Sequence, residues 1–235
     1  MTIRSWLRVD DGDVGGALHA FLKTLMESGQ VEALLAPCRP PVGVGIVPVL
    51  IEDADLLSRC DLLAPVMSAN MATLVSRLTN VDTGRRLGVV LRSCELRALV
   101  ELTKLHQITL DHVTTIGVDC LGTYDVADYA ALARAGCQPN AIWAGAPTGE
   151  PTLVDGYSLR TACQMCEHPV PEGADIRIGL IGLPDADAIL VESEGGLALP
   201  PETAPADVTG RERVITALIE RHLIARERIL GAWRT

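Results

Sequence analysis

The sequence predicts an α/β fold: a mixed, largely parallel sheet flanked by helices, with an irregular cysteine-bearing loop and a C-terminal amphipathic helix. Three observations lead there. The central stretch LGVVLRSCELRALVEL, followed by TTIGVDC, reads as strand, helix, strand, with the pieces at 87–91, 95–105 and 113–118. Short aliphatic runs alternate with segments of helical period elsewhere in the chain, which is the pattern of an α/β protein. At 235 residues and 48% hydrophobic content, the chain carries enough apolar material for one large core or two small ones.

Element by element, the chain opens on an acidic lead, MTIRSWLRVDDGDVGG. Gly15 and Gly16 then start a helix, ALHAFLKTLMESG, whose apolar face is Leu18, Phe21, Leu22 and Leu25 and whose stop is Gly29. Strands are expected at 31–36 and 46–51, parted by the turn-rich CRPPVGVG. Asp53 caps a short helix running to Cys60, and a helix at 70–78 follows the Pro65 break.

The strand–helix–strand unit comes next, and such units make right-handed crossovers between parallel strands. Both strands then end at the same sheet edge, so Cys94 and Cys120 meet where open α/β sheets bind ligands. A helix at 125–135 stops at Gly136, and an irregular stretch at 137–157 leads to the C-x-x-C of Cys163 and Cys166. Strands are expected at 176–183 and 188–191, then a proline-rich loop at 197–210. The last helix, 211–232, is apolar along Val214, Leu218, Ile219 and Leu223. Its other face, dense in Arg and Glu, reads as a solvated face or a partner-docking one. The domain division expected is 1–200 for the main domain and 201–235 for a linker and the terminal helix.

Composition excludes several functions. A net charge of −10 and 3% aromatic content leave neither a basic stripe nor a base-stacking platform, so no nucleic-acid partner is expected. The acidic lead is not a signal peptide, and the longest apolar run, 42–51, is broken by Gly43, Gly45 and Pro48 and is too short for a membrane span. The expected setting is cytoplasmic, where thiols stay reduced and clustered cysteines point to metal binding or catalysis.

Seven cysteines are present. Four of them, Cys94, Cys120, Cys163 and Cys166, come from two strand ends and one loop, and could hold zinc or an iron–sulfur cluster. A thioredoxin-like dithiol is the rival for the C-x-x-C, but that motif normally opens a helix directly after a strand, and RTACQMCEHPVP reads as loop. Cys94 stands at a helix N-terminus, which favours a thiolate, and Arg92 and Arg97 bracket it. Gly122, two residues after Cys120, allows a close backbone approach. Cys60 reads as a core thiol, Cys38 as a loop ligand or nothing, and Cys137 as a competitor for a ligand position. Among the histidines only His168, two residues past Cys166, stands where a ligand could. No Ser-His-Asp arrangement, P-loop or G-x-G-x-x-G is legible. The Gly15–Gly16 pair before a helix suits a phosphate.

At these residues the sequence resembles the coenzyme F420 hydrogenase/dehydrogenase beta subunit family. The likeness runs over GG-x-x-x-x-x-LK-x-L with VEALL, PVLIEDADLL, GVVLRSCELRALVELTKL, IGVDCLGTYD and the CQMC loop. The resemblance implies an iron–sulfur flavoprotein domain over 1–200, with one 4Fe–4S cluster on Cys94, Cys120, Cys163 and Cys166. It implies FAD along Gly15, Gly16, Ser68 and Asn70. Val14 stands where many relatives have Ser before the double glycine, and no ferredoxin-type C-x-x-C-x-x-C run occurs.

The function implied is electron transfer. A flavin, deazaflavin or nicotinamide donor, a small-molecule electron carrier, would exchange electrons with partner subunits of a hydrogenase, formate dehydrogenase or heterodisulfide-reductase-like complex. Two other readings stay open: a scaffold subunit held by structural zinc, and a subunit that keeps its cluster without a flavin.

Overall fold

Among the described residues, runs of aliphatic and β-branched side chains assemble into one seven-stranded sheet. The structure is a computed structural model that describes residues 2–80, 84–183, 188–194 and 208–233. The strands are β1 (Thr2–Arg8), β2 (Ala33–Cys38), β3 (Val47–Ile51), β4 (Leu87–Arg92), β5 (Val113–Val118), β6 (Ile176–Gly179) and β7 (Ala188–Glu194). The helices are α1 (Val14–Glu27), α2 (Met71–Leu78), α3 (Ser93–Lys104), α4 (Val126–Arg134), the single turn α5 (Thr161–Gln164) and α6 (Thr209–Trp233). The sheet order is β1-β7-β6-β5-β4-β2-β3.

The parallel part is the centre. β2, β4, β5 and β6 pair in parallel, while β3 on one side and β7 and β1 on the other are antiparallel additions. The fold is therefore α/β with a mixed sheet, as expected from the strand–helix–strand unit. Its parallel character is confined to those four strands.

Alternation along β4 divides the core. Val90 faces α1 and joins Leu18, Phe21, Leu22 and Leu25, together with Ile116, Val118, Ile176 and Ile178. Val89 and Leu91 face the other way, onto Met71 and Val75 of α2 and Leu96 and Leu99 of α3. Period-two strands between period-3.6 helices thus make a three-layer stack. A third cluster gathers Leu121, Tyr124, Leu132, Ile142 and Leu159 with Leu218 of α6. Burying each such large side chain contributes about 1.5–3 kcal/mol.

Several expectations need correction. The N-terminal lead is not merely acidic: Thr2–Arg8 is an edge strand, paired with β7 from Thr2↔Glu194 to Arg8↔Ala188. The segment around Cys163 is not all loop, because Thr161–Gln164 forms a helical turn. The irregular 137–157 stretch contains a 3-10 run, Pro139–Thr148. The strand expected over 176–183 ends at Gly179. The proline-rich 197–210 loop and the linker before the last helix lie largely outside the described residues. No described helix is long and apolar enough to cross a membrane.

Candidate metal centre

β4 and β5 lie side by side in parallel register, from Leu87↔Val113 to Arg92↔Val118, so the residues that follow them emerge together. Cys94 leaves β4 into the first turn of α3, and Cys120 lies two residues past β5. The α3 start is fixed by Glu95, whose buried carboxylate accepts from the backbone N–H of Arg92 (3.0 Å) and of Met71 (3.0 Å). One side chain therefore pins the N-termini of α2 and α3.

The C-x-x-C segment is laced onto the loop after β5. Cys120 N donates to Pro169 O (2.9 Å), and Arg160 N donates to Thr123 O (2.9 Å). Gly122 makes this approach possible. It has φ +112°, and a Cβ there would lie 2.6 Å from a Leu159 methyl and 3.3 Å from Cys163 Cβ. Gly117 in β5 does the same for Pro171, which a Cβ would meet at 2.5 Å.

The result is one cavity of about 180 Å³ with Cys94, Cys120, Cys163 and Cys166 all in its wall, beside Arg92 and His222. Cys94 belongs to an exposed residue at the rim, and the other three are partly buried. Gly122 N approaches Cys120 Sγ at 3.4 Å, and Thr123 Oγ1 lies 3.3 Å from Cys163 Sγ, so amide and hydroxyl groups already point at sulfur. Burial pushes the Cys120 thiol up to about 12, against the pull of Arg92, and burial likewise raises Cys94 and Cys166. A buried sulfur of this kind becomes a thiolate when a cation replaces its proton. Among the described residues no three His, Cys, Asp or Glu side chains lie close enough together to hold a single metal ion.

His168 also lines this cavity, as its sequence position suggested. His222 was not foreseen. It reaches in from α6, with Nδ1 2.6 Å from Cys166 O, and burial lowers its pKa. Nearby, Arg226 pairs with Glu167, so the terminal helix braces the C-x-x-C loop twice. Of the bracketing arginines, Arg92 turns inward to Ala64 O and the cavity, whereas Arg97 lies on an outer groove with Cys94 and Glu101. Cys137 packs against the third core cluster and is not in the cavity wall.

The residues marked for a flavin fall in two places. Gly15 and Gly16 are in the first turn of α1, where Asp13 Oδ1 accepts from Gly16 N at 2.8 Å. Ser68 lines a narrow cleft of about 10 Å³ that shares Met67 and Arg92 with the thiol cavity. Asn70 caps α2, its Oδ1 accepting from Ala72 N (3.0 Å). The cleft at Ser68 thus adjoins the thiols, whereas the two glycines line neither space.

Fold and site together define an α/β protein with a four-thiol cavity at the C-terminal edge of its parallel strands. No family model matches the chain. It is 28% identical over 203 residues to the beta subunit of F420-dependent formate dehydrogenase 1 of Methanococcus maripaludis, which covers 77% of this chain and 51% of that protein. It is 25% identical over 186 residues to the F420-dependent formate dehydrogenase beta subunit of Methanocaldococcus jannaschii, covering 71% and 48%. The chain thus spans about half the length of these curated relatives. A chain of the F420-reducing [NiFe] hydrogenase complex from Methanosarcina barkeri superposes with a TM-score of 0.65 at 15% identity, over 96% of this chain and 91% of that one. These likenesses support the resemblance of the chain to the coenzyme F420 hydrogenase/dehydrogenase beta subunit family.

Proposed function

We propose that this chain is the electron-transfer subunit of an oxidoreductase complex, with one 4Fe–4S cluster held by Cys94, Cys120, Cys163 and Cys166. The observation that carries the reading is the convergence of these four thiols on one cavity. Four thiols can serve zinc or a cluster alike, and the likeness to F420-dependent formate dehydrogenase beta subunits is what favours a cluster over the zinc-held scaffold. When bound, such a cluster supplies one-electron transfer.

The chain's own residues set the conditions for that transfer. Arg92 places a fixed positive charge in the wall, where it offsets thiolate charge. Gly122 N and Thr123 Oγ1 stand at sulfur atoms, and hydrogen bonds to ligand sulfur tune cluster potentials. α6 excludes water from one side through His222 and Leu218. Cys94 at the exposed rim gives electrons a short way out of the protein.

The electron donor proposed is a flavin, deazaflavin or nicotinamide carrier, and the acceptors are other subunits of a hydrogenase-, formate-dehydrogenase- or heterodisulfide-reductase-like complex in a reducing cytoplasm. FAD at Gly15, Gly16, Ser68 and Asn70 has less support. Asp13 already takes the Gly16 N–H that a phosphate would use, and the Ser68 cleft is narrow. No step is therefore assigned to a flavin.

Anaerobic purification followed by iron, acid-labile sulfide, zinc and flavin analysis tests the proposal. About four irons and four sulfides per chain support it. Zinc without sulfide returns the scaffold reading, and a cluster without extractable flavin identifies a subunit that kept only the cluster.

A further inference from the structure

Besides Cys137, two cysteines lie outside the cavity. Cys38 ends β2, and Cys60 follows a 3-10 turn, Ala54–Arg59. The two residues form an isolated antiparallel bridge, and their Sγ atoms share a hydrogen bond at 3.3 Å. Both side chains are buried, with 1% and 2% of their surface exposed, in the core under α1.

We propose that Cys38 and Cys60 are a dithiol–disulfide couple, a modification site for a small peroxide that is separate from the four-thiol cavity. The backbone already satisfies the main requirement. Directly opposed residues of an antiparallel pair hold their Cα atoms about 4.5–5.5 Å apart, inside the range a disulfide spans. Closing the bond asks the sulfurs to approach by about 1.3 Å, with no strand displaced.

The two thiols differ in character. The hydrogen bond from Cys60 chiefly lowers the pKa of Cys38, and the Arg59 charge adds to this; the same contact, with burial, raises that of Cys60. Cys38 is therefore the nucleophile and Cys60 the resolving thiol. In the first step the Cys38 thiolate attacks one oxygen of hydrogen peroxide. The O–O bond breaks, Cys38 becomes a sulfenic acid, and the released hydroxide takes a proton to become water. The Cys60 sulfur then attacks the Cys38 sulfur, the S–O bond breaks, and a second water leaves with the Cys60 proton. Two thiols lose two electrons, and one peroxide becomes two waters. Burial selects the oxidant, because a peroxide enters through small local openings whereas a glutathione-sized disulfide does not.

The bond would tie the end of β2 to the residue before Asp61. That carboxylate holds Arg39 (2.8 Å) and Asn140 (3.0 Å), while Asp61 N donates to Pro37 O (2.9 Å). The covalent link thus reinforces a junction already made by hydrogen bonds.

The test is peptide mapping of the full-length chain, purified anaerobically, exposed to hydrogen peroxide or to glutathione disulfide, then denatured and alkylated. Peroxide should remove two alkylatable thiols and yield a Cys38–Cys60 linked peptide lighter by two hydrogens. Glutathione disulfide should leave both residues alkylated. In Cys60→Ser a sulfenic acid at Cys38 should be trapped by dimedone. Recovery of both cysteines as free thiols after peroxide, or of Cys38 linked to any other cysteine, overturns the proposal. The unmodified chain supplies this readout, so it does not depend on the variant folding.

Discussion

Asp119, the residue before Cys120, is gripped by Arg211 of α6 in a two-point contact of 2.7 and 3.1 Å, with 1% and 7% of the two side chains exposed. Asp119 Oδ2 also accepts from Leu180 N (2.8 Å) and Ile181 N (2.9 Å), and the same guanidinium reaches Ile181 O. The start of the terminal helix is thus fastened to the strand end that presents a thiol to the cavity.

Arg211→Ala leaves a buried carboxylate without its counter-charge. The expected loss is about 3–5 kcal/mol of stability in urea unfolding, accompanied by a lower iron content. Arg211→Lys keeps the charge without the planar fork and should recover part of both. An alanine variant within about 1 kcal/mol of the parent, with full iron, would show that the pair is peripheral to the centre.

Serine replacement at Cys94, Cys120, Cys163 and Cys166, one at a time, should strip most of the iron measured per chain after anaerobic purification. Cys137→Ser should leave the iron content unchanged, since Cys137 packs in the core cluster away from the cavity wall. A Cys137 variant as poor in iron as the others would reassign the ligand set.

Gly122→Ala asks an L-residue to adopt φ +112° and places a methyl 2.6 Å from Leu159. Thermal or denaturant unfolding should report a loss of about 1–3 kcal/mol. Because Cys163 Cβ is the next contact at 3.3 Å, the absorption of the proposed cluster, once reconstituted, should shift as well. A stable variant with an unaltered spectrum would refute this account of the glycine.

Glu95→Ala removes the acceptor of two backbone N–H groups at the starts of α2 and α3. Leaving those donors buried and unpaired should cost about 2–4 kcal/mol. Glu95→Gln retains one amide oxygen and should fall between the variant and the parent. Equal stability of all three proteins would mean that water replaces the carboxylate.

On the proposed cluster, iron removal should loosen α6. His222 and Arg226 grip the Cys166–Glu167 backbone and side chain, so a C-x-x-C loop freed of metal gives the helix less to hold. Deuterium exchange should rise at 160–169 and in the second half of α6, with little change in α1. Uniform exchange before and after removal would separate the helix from the centre.

How much of this was legible depends on the range of the interactions concerned. The β4–α3–β5 unit could be read because each piece declares itself locally and one handedness rule joins them. That was enough to bring Cys94 and Cys120 to one edge. β1 is not legible because its partner lies far along the chain, Arg8↔Ala188 being 180 positions apart and Thr2↔Glu194 being 192, and its interleaved Arg and Ser residues blur the apolar signal. Glu95 carries no local sign of its role, since nothing near it in the sequence says that α2 will bring the Met71 N–H to it. His222 belongs to a helix whose docking is set by Arg211 and Leu218, and no spacing within the helix predicts a neighbour at Cys166. The competition between Cys94 and Cys137 was likewise a question of tertiary packing.

The cavity wall draws on residues from Met67 to His222, and its last contributor comes from α6. During synthesis, then, the thiols at 94, 120, 163 and 166 all leave the ribosome before the wall can close over them. For that interval the pocket stands open on the side His222 later occupies. An inorganic centre delivered then meets an unroofed cup, whereas one delivered afterwards has the exposed rim at Cys94 to enter by.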